Sequence, residues 1–380
     1  MAQQSDIVVI GAGIIGLSIA RQLCLSGCSV AVLEQSQAGR EASWAAAGML
    51  APHSEFDEAN PYFELCRAGL DCYPNFIETL QEETGVSIAY NRTGVLFPAL
   101  TDRGQSQLED RYKRHYIRGL PVRALSAREA RRLEPNLSNN VQMALSYPAD
   151  HQVENRDLLL ALTKSVQIHG GVIHEGVTVQ NISLDRNQVC GVRTTKGEWK
   201  TSTVVNAMGC RARYLEGIIP QYRIPIHPVR GQILSLGTGT RLPFRHTIYT
   251  DDIYLVPRKS GRLIIGATVE KVGFRNEVTV AGIMYLLNGA LKLAPGLKTC
   301  NLQATWSGLR PATNDGWPVL GATETPGLYI SSGHGRNGIL LAPITAKLMT
   351  EVILYDRVHS IMESFLPTRF SSLRTGLTSD

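Results

Sequence analysis

The chain has 380 residues, 43% of them hydrophobic, which is enough apolar material to bury a substantial core in about two domains. Lys and Arg outnumber Asp and Glu by 38 to 33, an excess spread without a long basic block, which argues against a dedicated nucleic-acid binder. The N-terminal apolar run is too short for a bilayer, is broken by glycines and lacks a positive leader, so no membrane association is expected and a cytoplasmic location follows.

Asp6 to Ile10 reads as a short buried strand, followed at once by Gly11-Ala12-Gly13-Ile14-Ile15-Gly16 and a segment of helical periodicity. Ile15, Ile19 and Leu23 fall on one helix face, Gly27 ends the helix, and a second strand, Ser29 to Leu33, delivers Glu34. Each glycine has its own task. Gly11 permits the tight turn, Gly13 lets backbone approach a pyrophosphate, and Gly16 lets helix and strand pack closely. The helix N-terminus supplies an anion site, and Glu34 can accept hydrogen bonds from ribose hydroxyls while repelling a 2′-phosphate, which disfavours NADP. This fingerprint binds the ADP half of a dinucleotide and does not by itself choose between FAD and NAD.

Gly39 to Leu50 is rich in small residues, so a flat ring system could lie against its backbone; the alternative, an Ala-rich helix, is weakened by Gly48 and Pro52. A helix over Pro61 to Thr84 precedes strands around Val86 to Leu100 and a charged helical stretch from Asp102 to Arg132. Asn155 to Val179 forms a second α/β unit, with a helix at Leu158 to Ile168 and a strand at Val172 to Ile173. Thr203 to Gly209 is a buried strand ending in small residues, suited to abut a dinucleotide. Between 222 and 305 short strands dominate, among them Val229 to Leu236, Tyr254 to Pro257 and Leu263 to Gly266, and read as an antiparallel sheet. Leu328 to Ser331 is a strand that Gly333 to Gly338 turns into a helix from about Ile339 to Tyr355.

The expected fold is therefore an α/β Rossmann-like domain, discontinuous in sequence (1–85, 140–218, 306–365). It carries an α+β substrate domain on a mostly antiparallel sheet (86–139, 219–305) and a flexible tail over 366–380. The seven cysteines, at 24, 28, 66, 72, 190, 210 and 300, form no Cys-x-x-Cys pair and are expected to be buried reduced thiols; no metal site is expected.

Arg310 sits between apolar neighbours in Trp306 to Pro311, where a guanidinium needs an anionic partner: a substrate carboxylate or a structural salt bridge. Tyr254 could donate to the same carboxylate or serve as packing. Arg336 precedes a helix whose dipole would favour negative charge, and nothing in the sequence aims His334 as an acid or base.

Taken with Ser43 to Leu50, His227-Pro228-Val229-Arg230-Gly231, Tyr254-Leu255-Val256-Pro257-Arg258, Gly266-Ala267-Thr268, Gly308-Leu309-Arg310-Pro311 and Gly333 to Pro343, the chain resembles the D-amino acid oxidase superfamily of FAD enzymes. Within it, the glycine oxidase group is most similar, through nearly the whole chain. The resemblance implies FAD as cofactor, with contacts at Ile14, Ile15, Glu34, Gln35, Ala42, Ser43, Ala47, Gly48, Met49 and Val179. These join Gly11, Gly13 and Gly16, and the loop Gly335, Arg336, Asn337, Gly338, Ile339, Leu340 and Leu341 completes the site. It further implies that Arg310 and Arg336, with Tyr254 beside them, contact a small amino-acid substrate. No side chain need act as acid or base: the α-hydrogen leaves as hydride and oxygen takes the electrons as peroxide. A homotetramer and a thiazole synthase partner in thiamine biosynthesis follow from the same resemblance. Val269 stands where these oxidases tend to have methionine, and Asp252 adds negative charge near Tyr254, leaving glycine, sarcosine and D-alanine all open as substrates. A D-amino acid dehydrogenase passing electrons to a quinone is the competing reading. A non-enzymatic flavoprotein is a third, which the Arg310 and Tyr254 clamp argues against.

Overall fold

The computed structural model describes residues 3–218, 224–239 and 244–370; the expected tail lies outside them from 371 onward. The strand Ile7–Ile10 is buried on both faces, Ile7 and Val9 packing with a layer of helices and Val8 and Ile10 with a layer of strands. A continuous apolar run specifies that two-sided burial in a parallel sheet. Six strands stand in the order Val172–Glu175, Val30–Glu34, Ile7–Ile10, Thr203–Asn206, Leu328–Ser332 and Val319–Ala322. All neighbours are parallel except the last pair.

Helices Ile14–Leu25, Pro61–Thr84, Asn155–Ile168 and Gly338–Tyr355 form the core on one side of this sheet. The antiparallel strands Val179–Asp185, Gln188–Thr194 and Gly197–Lys200 close the other. Asn60 caps Pro61–Thr84 by accepting from the Phe63 N–H at 2.8 Å, and Gly85, at φ 67°, ends it in the left-handed conformation that favours glycine. Three of the helices are stitched by one polar knot: Arg21 pairs with Glu83, and both bond Ser165 Oγ, at 2.8 and 2.6 Å. Gly338–Tyr355 is long and apolar enough to cross a bilayer by length and composition, yet two thirds of it is buried against the other helices, which makes it a core helix.

The second sheet has eight strands, in the order Asn301–Thr313, Ile226–Gly237, Arg262–Gly266, Tyr254–Arg258, Thr247–Tyr249, Val95–Ala99, Met143–Tyr147 and Arg123–Ser126. It is antiparallel except where Thr247–Tyr249 meets Val95–Ala99. Helix Val280–Leu293 packs on it. Two segments lie across the expected boundaries at 140 and 306. Met143–Tyr147 bonds along Val95–Ala99, and Asn301–Thr313 runs the length of Ile226–Gly237, so both belong to the large sheet. The expected helix from 102 to 132 is broken as well, into Asp102–Ile117, a strand Arg123–Ser126 and Ala127–Leu133. Gly119 at φ 68° and Pro121 are the cause, since neither continues a helix. All seven cysteines are free, but Cys190 is exposed and Cys28, Cys72 and Cys300 are only half-buried, which corrects the expectation that all are core residues. Cys190 lies on the outward face of an alternating strand, where no layer covers it.

Candidate cofactor and substrate cleft

A cleft of about 690 Å³ runs from the C-terminal ends of the parallel strands to the inner face of the large sheet. At its first end the glycine turn is built by close approach. A Cβ on Gly11, at φ 101°, would stand 2.6 Å from the Ala207 carbonyl oxygen, and one on Gly16 would stand 1.9 Å from that of Gly11. Helix Ile14–Leu25 has no side-chain cap from Gly13; the Ile14 N–H donates to Ser43 Oγ at 3.0 Å, leaving the next N–H groups for an anion. Glu34, buried, accepts from the Ala12 N–H and the Ser36 N–H, each at 2.9 Å, which aims its carboxylate into the cleft with acceptor sites to spare.

The middle of the cleft is floored by Ala42 to Met49. This segment is a single helical turn, Ala42–Ala45, followed by Gly48 at φ 65° and the strand Met49–Leu50. Its carbonyls are taken from behind by donors of distant elements. Asn155 Nδ2 donates to Ser43 O (2.7 Å) and Trp44 O (3.2 Å), Trp306 Nε1 to Ala45 O (3.0 Å), Arg258 Nη2 to Ala47 O (2.6 Å) and the Val153 N–H to Gly48 O (2.8 Å). A Cβ on Gly48 would meet the Val153 carbonyl at 2.0 Å, so the glycine is required here. The result is a rigid platform of small residues, the surface a flat ring system needs.

The outer end belongs to the large sheet. Arg310 donates to Thr268 O at 3.1 Å and faces the Tyr254 phenol. Among the described residues it has no carboxylate partner. Burial pulls its guanidinium below the usual value, Arg336 adds to that, and Tyr254 opposes it. Burial likewise raises the Tyr254 phenol, against the pull of Arg310 and Arg258. Glycines make room for the pair. A Cβ on Gly231 would lie 2.4 Å from Arg310 Nη1, and one on Gly266 would lie 2.3 Å from the Tyr254 hydroxyl. A half-buried guanidinium with no carboxylate partner among the described residues and a phenol beside it has the donor set to receive one carboxylate.

The cleft brings together Gly11, Gly13, Ile14, Ile15, Glu34, Gln35, Ala42, Ser43, Ala47, Gly48, Met49, Val179, Tyr254, Arg310 and Gly335 through Ile339, all expected from sequence. Leu340 and Leu341 do not line it. Both are fully buried in the helical core, and the Leu341 N–H closes on Asn337 O, because the chain is already helical from Gly338. Gly16 does not line it either and acts through packing. Arg336 reaches the cleft with an ion pair already made, Nε lying 3.3 Å from Glu55 Oε1. Burial raises the Glu55 carboxyl above its usual range, while Arg336 and Asn337 hold it down. His334 is buried, which pushes it down to about 3, and its Nε2 lies 3.3 Å from Thr345 Oγ1. Sequence reasoning missed Glu55, Tyr249 and Asn155 in this region and gave Arg258 no role, because the partners that place them lie far along the chain.

Dinucleotide cradle, ring platform and carboxylate receptor in one continuous cleft define a flavin-dependent oxidoreductase. The family model described as DAO, FAD dependent oxidoreductase, matches residues 6–352, and the chain belongs to that family, with FAD as its cofactor. It is 38% identical over 377 residues to a bifunctional ThiO/ThiG protein of Synechocystis sp., covering 97% of this chain and 55% of that protein. The chain thus spans about half the length of such bifunctional relatives. It is 34% identical over 359 residues to a glycine oxidase of Geobacillus kaustophilus, covering 93% of this chain and 94% of that one. The crystal structure of glycine oxidase from Geobacillus kaustophilus superposes with a TM-score of 0.90 at 32% identity, over 97% of this chain and 99% of that chain.

Proposed function

We propose that this chain oxidatively deaminates glycine and other small amines or D-amino acids, giving a 2-oxo acid, ammonia and hydrogen peroxide. The observation that carries this reading is Arg310, a half-buried guanidinium in the cleft without a carboxylate partner among the described residues, with the Tyr254 phenol beside it. Its planar fork and the Tyr254 hydroxyl hold the substrate carboxylate, which leaves the α-carbon over the Ala42 to Met49 platform. FAD held there would supply the two-electron acceptor for the α-hydrogen, with oxygen as the final oxidant. No side chain is asked to remove that hydrogen; the chain contributes orientation, a fixed carboxylate position and a water-poor wall of Val229, Ile233 and Ala267. The imine that leaves the site hydrolyses, or is consumed in thiazole formation.

The remaining site assignments are part of the same proposal: Gly11 to Ile15, Glu34, Gln35, Val179 and Gly335 to Ile339 at the cofactor. The parallel sheet with its helices serves as the FAD-binding portion and the large sheet as the substrate portion. A reducing, cytoplasmic setting agrees with seven free cysteines. A homotetramer and a thiazole synthase partner belong to the reading too, and exposed Val269, Val280 and Met284 offer apolar surface for such contacts.

The test is a peroxide assay under air across glycine, sarcosine, D-alanine and D-proline, with Arg310→Ala as control. Turnover that Arg310→Ala abolishes while the flavin spectrum stays unchanged supports the proposal; no peroxide from any of the four overturns it. Faster turnover with an artificial acceptor than with oxygen would make the enzyme a dehydrogenase.

A further inference from the structure

Arg310 and Arg336 both line the cleft, and of these two only Arg310 has no carboxylate partner among the described residues. Glu55 Oε1 lies 3.3 Å from Arg336 Nε and accepts from Asn337 Nδ2 at 3.2 Å, so one carboxylate oxygen holds both residues of the loop. Tyr249 lines the same cleft, and its phenol favours the charged form of Arg336. Glu55 is aimed rather than loosely placed. It ends the short helix Pro52–Glu55, whose backbone is fastened by the fully buried Asp150. The Asp150 carboxylate accepts from the His53 N–H (3.0 Å) and the Ser54 N–H (2.8 Å) and bonds His53 Nδ1 (2.7 Å), while Arg111 Nη2 donates to Ser54 O (2.7 Å).

Resting on the amine-oxidase reading above, we propose that Glu55 is a specificity-determining residue that occupies Arg336 and so restricts the cleft to amines bearing a single carboxylate. With Arg336 paired, Arg310 is the guanidinium beside Tyr254 that is left to take a substrate carboxylate. A second acid group on the amine, as in iminodiacetate, which is glycine carrying an N-carboxymethyl arm, then meets the Glu55 carboxylate instead of a free guanidinium. Arg336 is 64% exposed beyond its ion pair, so it has room to turn to such a group once Glu55 is neutral.

The experiment compares wild type with Glu55→Gln, which keeps an oxygen acceptor for Asn337 and removes the charge. Two readouts are taken on FAD-loaded enzyme: kcat/KM for iminodiacetate against glycine, and the Kd of thiodiacetate, an unreactive dicarboxylate, by perturbation of the flavin absorbance. The expected result is a rise of at least tenfold in the iminodiacetate-to-glycine ratio and a tenfold tighter thiodiacetate Kd, weakened by added salt, with both gains lost in Glu55→Gln/Arg336→Met. A change by the same factor for both substrates, with an unaltered thiodiacetate Kd, would show that Glu55 only orders the loop and would overturn the proposal. If wild type turned over neither amine, the amine-oxidase reading would fall, while the thiodiacetate Kd would still decide the role of Glu55.

Discussion

Gly231→Ala tests the carboxylate receptor without removing any of its groups. Gly231 lies on the strand Ile226–Gly237 directly opposite Gly308, its backbone is outside the left-handed region, and the strand accepts alanine there. The added methyl would stand 2.4 Å from Arg310 Nη1 and 2.5 Å from both Cζ and Nη2. Comfortable packing begins at roughly 3.5 Å, so the guanidinium must retreat by about 1 Å. Because it is the far end of a flexible side chain, the retreat costs little stability; its effect falls on substrate position. A displacement of that size costs about a hundredfold in rate, or about 2.7 kcal/mol of transition-state stabilisation. The expected outcome is an unchanged flavin absorbance spectrum and melting temperature with kcat/KM for glycine lowered about a hundredfold, read in a coupled peroxide assay. A FAD-loaded variant with kcat/KM within threefold of wild type would show that Arg310 does not hold the substrate, and the reasoning from Gly231 would fail with it.

Arg258→Met leaves the carbonyls of Ala47 and Val153 without their donor in a buried setting, and the ring platform should loosen. The expected loss is about 3 kcal/mol of stability together with easier release of FAD, measured by denaturant unfolding and by flavin lost on gel filtration; full retention of both would contradict the assigned role. Glu83 gives a pH signature. Its partial burial raises its carboxyl, but hydrogen bonds from Arg21 and Ser165 and the charges of Arg21 and His169 more than reverse this, so its folded value lies below the unfolded 4.5. A lowered folded value means a contribution to stability that is complete above 4.5 and lost as the pH falls through the folded value. Glu83→Gln should cost about 2 kcal/mol at pH 7, less than a fully buried pair because Glu83 keeps some contact with water, and should flatten the acid limb of the stability profile below pH 5. An acid limb as steep as in wild type would exclude this pair as its source.

What could be read from the sequence was what is local along the chain. The strand, glycine turn and helix from Asp6 to Leu25 are contiguous, so their spacing alone specifies the ADP cradle. Arg310 was legible because a guanidinium among Trp306, Leu309 and Pro311 demands a partner. Convergence at a distance left no such trace. Asn155 reaches Ser43 over 112 positions and Arg258 reaches Ala47 over 211, and nothing near either residue announces the partner. Glu55 sits in a short acidic stretch that reads as solvated loop until Asp150, far along the chain, is seen to fasten it. Met143–Tyr147 falls in the first expected domain only through the bound set at 140, and its pairing with Val95–Ala99, about fifty positions earlier, leaves no local trace. Leu340 and Leu341 enter the expected site only through the resemblance, which carries over the loop as far as Leu341; in the structure both side chains point into the helical core.

The ring platform has a thermodynamic consequence. Its carbonyls are held by Asn155 and Val153 from beside the helical layer and by Trp306 and Arg258 from the large sheet, so the segment proposed to seat the cofactor is also the weld between the two sheets. Any ligand that binds only the assembled segment adds RT ln(1 + [L]/Kd) to the stability of the whole, about 2.7 kcal/mol at a hundredfold excess over Kd. Flavin supply and folded lifetime are then one variable: a cell short of FAD would accumulate less of this chain, not merely less active chain.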